Sequence, residues 1–390
     1  MPLYSVPTSD LTPELTKTDM QIDPTHFSAR VRALRELRGW TQSEFSRITG
    51  LSQAMVSSIE TSSRAVSLDQ VQAIAAATGT PELFFVIAPE ELSDDELHYR
   101  KRSRARITAT RTFTRKFKEA RHVARVLAAN FQAPVKISPV EGSVSPEDIE
   151  DIATDVRRSF GIGPNEPIRN MIRCCERAGY PISPIAPIDG ADSDHSGLSY
   201  TSSDEFGSIT YQSGEPGDRQ RMTVAHELSH RILHSKRSIA PKQREQEAFK
   251  LAGALLFPRH AATESMSESL SLTGYLRLKA EWGLSVQALI MRAGDLGVVD
   301  ADRKSSLMRQ ISKKGWRSHE PVGVGIEQPA LLWHLATARF GEDPYRAASA
   351  ELGYSRMDLI EWIPRPTAAQ DDDTVTDHSN VIDLSARFRR

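Results

Sequence analysis

The stretch VAHELSH, Val224 to His230, constrains the fold more than any other part of the chain. Apolar residues at helical spacing surround His226 and His230, which predicts that both lie on a buried helix. Side chains four residues apart project from the same face of a helix, one turn from each other. Buried imidazoles need polar partners. They are either satisfied core histidines or ligands of one metal ion, and in the second case another element must supply a further ligand.

A metal site also gives a role to the residue that follows the first histidine. One residue advances a helix by about 100°, so Glu227 is placed to reach a metal-bound water and not the metal itself. Zinc hydrolases hold the metal with three protein ligands and a water, and a glutamate acts as the general base. We therefore predict a Zn²⁺ site with His226 and His230 as ligands and Glu227 as the catalytic base.

The next predicted helix, KQREQEAFKLAGALLFP (242–258), supplies the candidate third ligand. With Ala252 at the centre of its apolar face, Glu245 falls about 20° away and Glu247 about 140° away, on the solvent side. A lone carboxylate in an apolar face is costly unless it is paired or bound to a metal. The helical phase therefore predicts Glu245 as the third ligand. The alternative is a buried ion pair of Glu245 with a residue such as Arg221.

A different pattern occupies the region from about residue 25 to about residue 90, where caps and helix-ending glycines predict five short helices. Thr41 with Glu44 forms a capping box at the start of the second helix, which Gly50 ends. Ser52 caps the third helix, Gln53 to Glu60. Two helices joined in this way, the second with a small polar outward face, have the layout of a helix-turn-helix unit.

The outward face of this third helix fits DNA, because short polar side chains let a helix enter the major groove. Gln42, at the start of the preceding helix, can meet a phosphate. A helical bundle that binds protein and not DNA is the alternative. The predicted DNA-binding residues are Gln42, Ser52, Gln53, Ala54, Ser57 and Ser58.

A strongly basic segment follows, with eleven Lys and Arg residues and one acid, Glu119, between Arg100 and Arg125. Its apolar residues are only partly at helical spacing. We predict a basic helical linker. It is either a solvated helix face or a segment that follows DNA phosphates and makes the affinity salt-dependent.

The remaining composition is that of a soluble protein. No apolar run approaches the roughly 18 residues needed to cross a bilayer, and the N-terminus lacks the pattern of a secretory signal. The two cysteines, Cys174 and Cys175, are adjacent and form neither a disulfide framework nor a thiolate metal site. We therefore expect a cytoplasmic protein.

Residues 34–79 resemble the lambda-repressor-like (XRE) family of DNA-binding domains. The resemblance rests on Thr41-Gln42, on the turn Gly50-Leu51-Ser52, and on Ser57 and Ile59-Glu60 in the next helix. It implies that the helix from Ser52 to Glu60 contacts bases and that dimers bind paired half-sites. Where that family usually has a glycine after Glu-x, this chain has Thr61-Ser62-Ser63.

The sequences RQRMTVAHELSHRILH and EQEAFKLAGALLFP, with the hairpin ahead of them, are similar to the ImmA/IrrE metallopeptidase family over about residues 145–300. This resemblance implies the same roles: His226, His230 and Glu245 as zinc ligands and Glu227 as the base. His234 also matches, and its alternatives are a place beside the ligands, a role in polarising the substrate, or packing in the core. Phe249 departs from the small polar residue usual at its position.

The predicted fold is multidomain: an all-α five-helix domain with a helix-turn-helix, an α+β zincin-like metallopeptidase domain with a small sheet, and a helical C-terminal region. The predicted segments are a flexible arm (1–24), the DNA-binding domain (25–90), the basic linker (91–144), the metallopeptidase domain (145–300), the helical region (301–365) and a disordered tail (366–390). No internal repeat is apparent.

We expect a transcription regulator with a zinc endopeptidase that cleaves a repressor-type protein, or itself, to control gene expression. Its expected partners are operator DNA, a helix-turn-helix repressor as substrate and a second copy of the chain. One alternative is a regulator whose peptidase-like domain is a sensor or dimerisation module. Another is a toxin–antitoxin or phage-immunity component that binds its partner protein.

Overall fold

The computed structural model describes residues 24–64, 66–88, 92, 97–101, 107–188, 195–200, 206–367 and 381–382. The predicted arm therefore lies outside the described residues except for Pro24. Of the predicted disordered tail, only residues 366–367 and 381–382 lie within them.

The N-terminal region is helical, as its caps predict. Thr41 and Glu44 form the predicted capping box, and Gly50 has a left-handed backbone with φ 74°. The hydroxyl of Ser52 accepts a hydrogen bond from the Met55 amide. The elements are α1 (Pro24–Leu37), α2 (Gln42–Thr49), α3 (Gln53–Glu60), α4 (Leu68–Thr78) and a 3-10 helix (Glu82–Val86), which replaces the fifth predicted α-helix.

The turn after α3 is built without the glycine usual in the XRE family. Ser62 takes the left-handed conformation, with φ 55°, and occupies the position of that glycine. Neighbouring hydroxyls hold the turn, because Thr61 Oγ1 donates to Ser57 O at 3.0 Å and Ser63 Oγ donates to Ser58 O at 3.0 Å. Side-chain hydrogen bonds thus stabilise a backbone conformation that glycine adopts at no steric cost.

The basic segment forms a long helix, α5 (Ile107–Leu127), which is largely buried and not a solvated linker. Its described basic side chains mainly contact other parts of the chain. Arg115 pairs with Glu36 at 3.0 Å, Lys116 pairs with Glu361 at 2.9 Å, and Arg121 donates to Phe206 O at 2.9 Å. The side chains of 100–106 lie outside the description, so the phosphate-following hypothesis is untested there.

The second part of the chain combines a small sheet with many helices. The strands are β1 (Leu97–Lys101), β2 (Lys136–Ile137), β3 (Ile182–Ile185), β4 (His195–Tyr200), β5 (Ile209–Gln212) and β6 (Val381–Ile382). One sheet has the order β1-β4-β5-β3, in which β4 and β5 form the predicted antiparallel hairpin and β3 is parallel to β5. Strand β6, within the predicted disordered tail, pairs with β2.

The helices of this part are α6 (Pro146–Ser159), α7 (Met171–Arg177), α8 (Gly217–His234), α9 (Pro241–Leu256), α10 (Arg259–Ser265), α11 (Leu272–Trp282), α12 (Val286–Asp295) and α13 (Ala301–Lys313). Helix α8 lies against β4 and β5 on one side and α9 on another, and α9 also packs against α6. No helix in the described part of the chain is both long and apolar enough to span a bilayer.

The C-terminal helices α14 (Leu331–Phe340), α15 (Pro344–Leu352) and α16 (Arg356–Trp362) share one apolar core with α1–α4 and α5. The predicted helical stretch 343–362 is divided at Gly353, whose φ is 73°. Buried charges also join these parts. Arg38 pairs with Asp358 at 2.5 Å, and Glu119 accepts hydrogen bonds from Arg30 and from the Tyr354 hydroxyl.

The α15–α16 turn repeats the hydrogen bonds of the α2–α3 turn, although no repeat is apparent in the sequence. Ser46 Oγ donates to Leu51 O at 2.5 Å, and Ser349 Oγ donates to Tyr354 O at 2.7 Å. A left-handed glycine follows each of these serines by four residues, and a capping serine follows two residues later. The α2–α3 and α15–α16 turns therefore share the same caps and the same serine hydrogen bond.

We predict that Ser62→Gly increases the free energy of unfolding by up to about 1 kcal/mol, because glycine removes the cost of left-handed backbone at this position. Urea unfolding of the purified protein measures the effect. Ser62→Ala is the matched control, since it removes the same hydroxyl but keeps the steric cost. A glycine variant no more stable than the alanine variant would contradict the prediction.

Candidate metal centre and nucleic-acid interface

Helix α8 carries both histidines of the motif into the interior. The side chain of His226 is 0% exposed and that of His230 is 1% exposed. Their Nε2 atoms lie 3.1 Å apart, so the two rings converge on one point. The helix is buried because the β4–β5 hairpin covers one side and α7 and α9 cover others.

The third member of the cluster is Glu245 of α9. Its carboxylate oxygens lie 3.4 Å from His226 Nε2 and 3.3 Å from His230 Nε2. Ligand atoms about 2.0–2.1 Å from a tetrahedral zinc ion are separated by about 3.3–3.4 Å. The donor types and spacings of His226, His230 and Glu245 therefore fit an ion of this size, and the three atoms lie within 4.8 Å of one another.

The carboxylate of Glu245 is held in its ionised form. Partial burial opposes ionisation, but hydrogen bonds and charge interactions with His226 and His230 outweigh it and lower the pKa of Glu245 well below its usual range. Its side chain is 38% exposed, so this edge of the cluster is open to solvent. The ring of Phe249 lies on the same side, with its centroid 4.2 Å from that of His226. The centre is therefore accessible past α9.

Glu227 is fully buried and faces strand β4. Its Oε2 accepts a hydrogen bond from Ser199 Oγ at 2.6 Å. A Cβ atom on Gly197 would lie 3.0 Å from Glu227 Oε1 and 2.5 Å from Thr223 Cγ2, so only glycine fits at this point of the strand. Gly197 and Ser199 lie two residues apart on β4 and therefore on the same face of the strand. Together they fix the carboxylate of Glu227 between β4 and α8.

The predicted DNA-binding residues lie around the start of α3. Ser52, Gln53 and Ala54 are exposed, whereas Ser57 and Ser58 are half-buried. The inward residues Val56 and Ile59 are fully buried and hold the helix on the domain. The exposed N-terminal part of α3 is thus the part able to meet a groove.

Gln42 differs from the prediction, because its side chain is engaged within the domain. Its amide donates to Glu60 Oε2 at 2.9 Å, and Glu60 also pairs with Arg35 at 2.5 Å. The Gln42 side chain therefore ties the start of α2 to the end of α3, which fixes the angle between the two helices. A phosphate at this position would instead be bound by the backbone N–H groups at the N-terminus of α2.

Comparison with known protein families supports both halves of this description. Residues 31–85 match the model of a helix-turn-helix family, and residues 180–293 match the model of the IrrE N-terminal-like domain of the Peptidase_M78 family. The chain thus combines a region similar to each of these two families. No curated protein matches the chain at a significant level. The first family indicates DNA-binding regulation, and the second indicates a metallopeptidase-like domain with a metal cofactor.

In the IrrE-like domain, His234 lies one turn beyond His230 on α8 and is buried. Its Nδ1 atom is 3.0 Å from Nδ1 of His230, on the side of that ring away from the metal cluster. The predicted alternatives for His234 included a core residue and a neighbour of the ligands. His234 is buried in the core and also lies next to His230.

The predicted position on α9 was wrong for Glu247 and only partly right for Glu245. Glu247 is buried and not on the solvent side, whereas Glu245 lies at the edge of the covered face and not at its centre. The reason is that the end of α8 and the loop after it reach this side of α9, where His234 and Arg237 contact Glu247. The alternative ion pair of Glu245 with Arg221 does not form, because Arg221 pairs with Glu327 at 2.6 Å.

Sequence reasoning missed Gly197, Ser199 and Glu247 as parts of the site. The two strand residues lie in the predicted hairpin, where a glycine inside a strand already indicates close backbone approach. The apolar spacing of α9 does not mark Glu247 as buried, because two of its three partners come from α8 and from the loop that follows α8 and the third is the polar Gln243.

We predict that Gly197→Ala reduces the free energy of unfolding by about 1–3 kcal/mol, because the new methyl group overlaps Thr223 Cγ2. Thr223→Ser removes that atom and should restore part of the loss in the double variant. A double-mutant cycle by urea unfolding measures the coupling. Additive losses from the two substitutions would show that the close contact is not the cause.

Proposed function

We propose that this protein is a DNA-binding transcription regulator whose IrrE-like domain is a zinc-dependent, zincin-like endopeptidase that cleaves a repressor-type protein or the chain itself. The observation that carries the proposal is the cluster of His226, His230 and Glu245 beside the buried Glu227. Zinc at a site with three protein ligands lowers the pKa of its bound water towards about 7 and polarises a carbonyl group.

In this proposal each side chain of the centre has a separate task. His226 and His230 bind through their Nε2 atoms, which face the cluster, and Glu245 completes the ligand set from α9. Glu227 accepts the proton of the attacking nucleophile and later delivers it to the leaving amine. Ser199 holds the orientation of Glu227 through the bond of 2.6 Å. A peptide reaches the centre over the open edge at Glu245 and Phe249.

The helix-turn-helix domain supplies the regulatory part of the proposal. The exposed residues at the start of α3, with Ser57 and Ser58 behind them, contact bases in the major groove. The turn around Gly50 and the tie between Gln42 and Glu60 set the position of that helix. Because a single small domain binds DNA modestly, we propose that the protein acts as a homodimer on paired half-sites.

A second function has support from one observation. Glu227 is fully buried and hydrogen-bonded to Ser199, which limits its access to a substrate proton. This favours a regulator whose IrrE-like domain senses a signal or holds a dimer without proteolysis. The two functions differ in whether the carboxylate of Glu227 is needed.

We predict that Glu227→Gln abolishes cleavage of the substrate but leaves zinc binding and DNA binding unchanged, because glutamine has the same shape and is no general base. Purified zinc-loaded protein is incubated with helix-turn-helix repressors encoded near its gene, and mass spectrometry identifies the fragments. Removal of zinc with a chelator should stop cleavage, and added zinc should restore it.

The matched control for this experiment is Glu264→Gln, which removes a carboxylate from the exposed surface of α10. This variant should cleave at the rate of the unchanged protein. Equal cleavage by the Glu227→Gln variant would refute the proteolytic function. Full complementation of a gene deletion by that variant would favour the sensor function.

We predict that Gln53→Ala weakens binding to the operator by about 1–3 kcal/mol, because it removes a base contact at the start of α3. The operator is first selected from random duplexes, and affinity is measured by fluorescence anisotropy at a fixed salt concentration. Gln72→Ala, on the exposed side of α4, is the control and should bind normally. A Gln53→Ala variant with unchanged affinity would remove Gln53 from the interface.

A further inference from the structure

A row of buried polar side chains leads away from the cluster of His226, His230 and Glu245, on the far side of His230. Nδ1 of His230 lies 3.0 Å from Nδ1 of His234, and Nε2 of His234 lies 3.4 Å from Glu247 Oε2. The side chains of His234 and Glu247 are 0% and 8% exposed. The contacts therefore lie in the interior, where hydrogen bonds are strong and specific in direction.

The carboxylate at the end of this chain is itself anchored. Arg237 Nη1 donates to Glu247 Oε2 at 2.8 Å, and Gln243 Nε2 donates to Glu247 Oε1 at 2.8 Å. Arg237 is fixed in turn, because its Nε donates to Gly142 O at 2.8 Å. Glu247 thus has polar contacts from three directions, from α8, from the loop after it and from α9.

The positions of the protons follow from the metal site. When His230 binds a metal through Nε2, its remaining ring proton is on Nδ1. That N–H donates to Nδ1 of His234, so the proton of His234 is on Nε2 and points to the carboxylate of Glu247. With neutral rings, this set of tautomers satisfies the contacts from His230 to Glu247 and leaves the Nε2 lone pair of His230 free for the metal.

We propose that His234 and Glu247 are positioning residues that fix the tautomer and the ring orientation of His230 for metal binding. The inference rests on the proposed metal centre and adds two residues to it that touch no substrate. Histidine ligands commonly donate their second N–H to a carboxylate, which raises their basicity and metal affinity. Here a second histidine extends that arrangement by one step.

The same arrangement also joins the two helices that carry the ligands. Glu245 and Glu247 lie two residues apart on α9, so one carboxylate reaches the metal side of His230 while the other reaches its far side through His234. A shift of α9 along α8 would disturb both contacts together. The spacing of the three ligand atoms therefore depends on His234 and Glu247 even though neither belongs to the cluster.

The test uses the full-length protein with His234→Phe, which keeps a ring but removes both nitrogens, and Glu247→Gln, which keeps the shape but removes the charge. Competition with a chromophoric chelator measures the affinity for zinc. We expect each variant to bind zinc about 10- to 100-fold more weakly. The visible absorption of the cobalt-substituted variants should shift, because the ligand geometry changes.

Two controls separate positioning from general stability. His260→Phe removes an exposed histidine of α10 and should leave zinc affinity unchanged. His234→Gln keeps one acceptor and one donor and should recover part of the affinity lost in His234→Phe. Thermal unfolding of the metal-free proteins identifies any variant that fails to fold. If His234→Phe is unfolded, the nearly isosteric Glu247→Gln decides the question.

The outcomes distinguish this inference from the proposed function. If the unchanged protein binds no zinc, the proposed function fails. If the unchanged protein binds zinc and the folded variants bind it with the same affinity and the same cobalt spectrum, the positioning role is overturned. Weaker binding by His234→Phe and Glu247→Gln, with partial recovery by His234→Gln, supports it.

Discussion

Two imidazole rings on one buried face of α8 set the constraint that the surrounding structure satisfies. His226 and His230 are removed from water, and an isolated polar group in such a place is costly. The anionic carboxylate of Glu245 compensates on one side. On the other side of His230, His234 and the anchored Glu247 form a second compensating contact. The packing of α9 against α8 is therefore both a core contact and the assembly of a metal-binding donor set.

The same constraint explains the small residues of the sheet. Strand β4 must pass close to α8 if it is to cover the histidine face, and Gly197 permits that approach beside Glu227. Ser199, two residues along the strand, then points to the same side and meets the carboxylate. The strand thus orients Glu227 through the close approach at Gly197 and through the hydrogen bond from Ser199. Helix α8 thus carries Glu227 and both histidines, while β4 orients the Glu227 carboxylate and α9 adds Glu245 to the cluster.

The sequence was sufficient for features that depend on near neighbours in the chain. The capping box at Thr41, the end of α2 at Gly50 and the shared face of His226 and His230 follow from spacings of three to eight residues. The sequence was insufficient where a side chain contacts a residue that is distant along the chain. The basic segment looked like a solvated or phosphate-binding helix because Glu36 and Glu361, which pair with Arg115 and Lys116, lie 79 and 245 residues away from them. The burial of Glu247 was missed for the same reason, since a helical projection does not show how many neighbours will cover a helix.

The repeated helix-turn-helix geometry shows why local structure alone does not decide function. The α15–α16 turn has the same glycine and capping serine as α2–α3, yet Ala54 and Ser57 correspond to Met357 and Ile360, which are 81% and 49% exposed. Asp358, directly after Met357, is buried and paired with Arg38, the residue after α1. Met357 and Ile360 offer no donors or acceptors to base edges or phosphates, whereas the exposed Arg356 takes the position of Gln53. The two units therefore share a turn but differ in their surroundings, because Asp358 ties α16 to Arg38 while Ser52, Gln53 and Ala54 leave the start of α3 exposed.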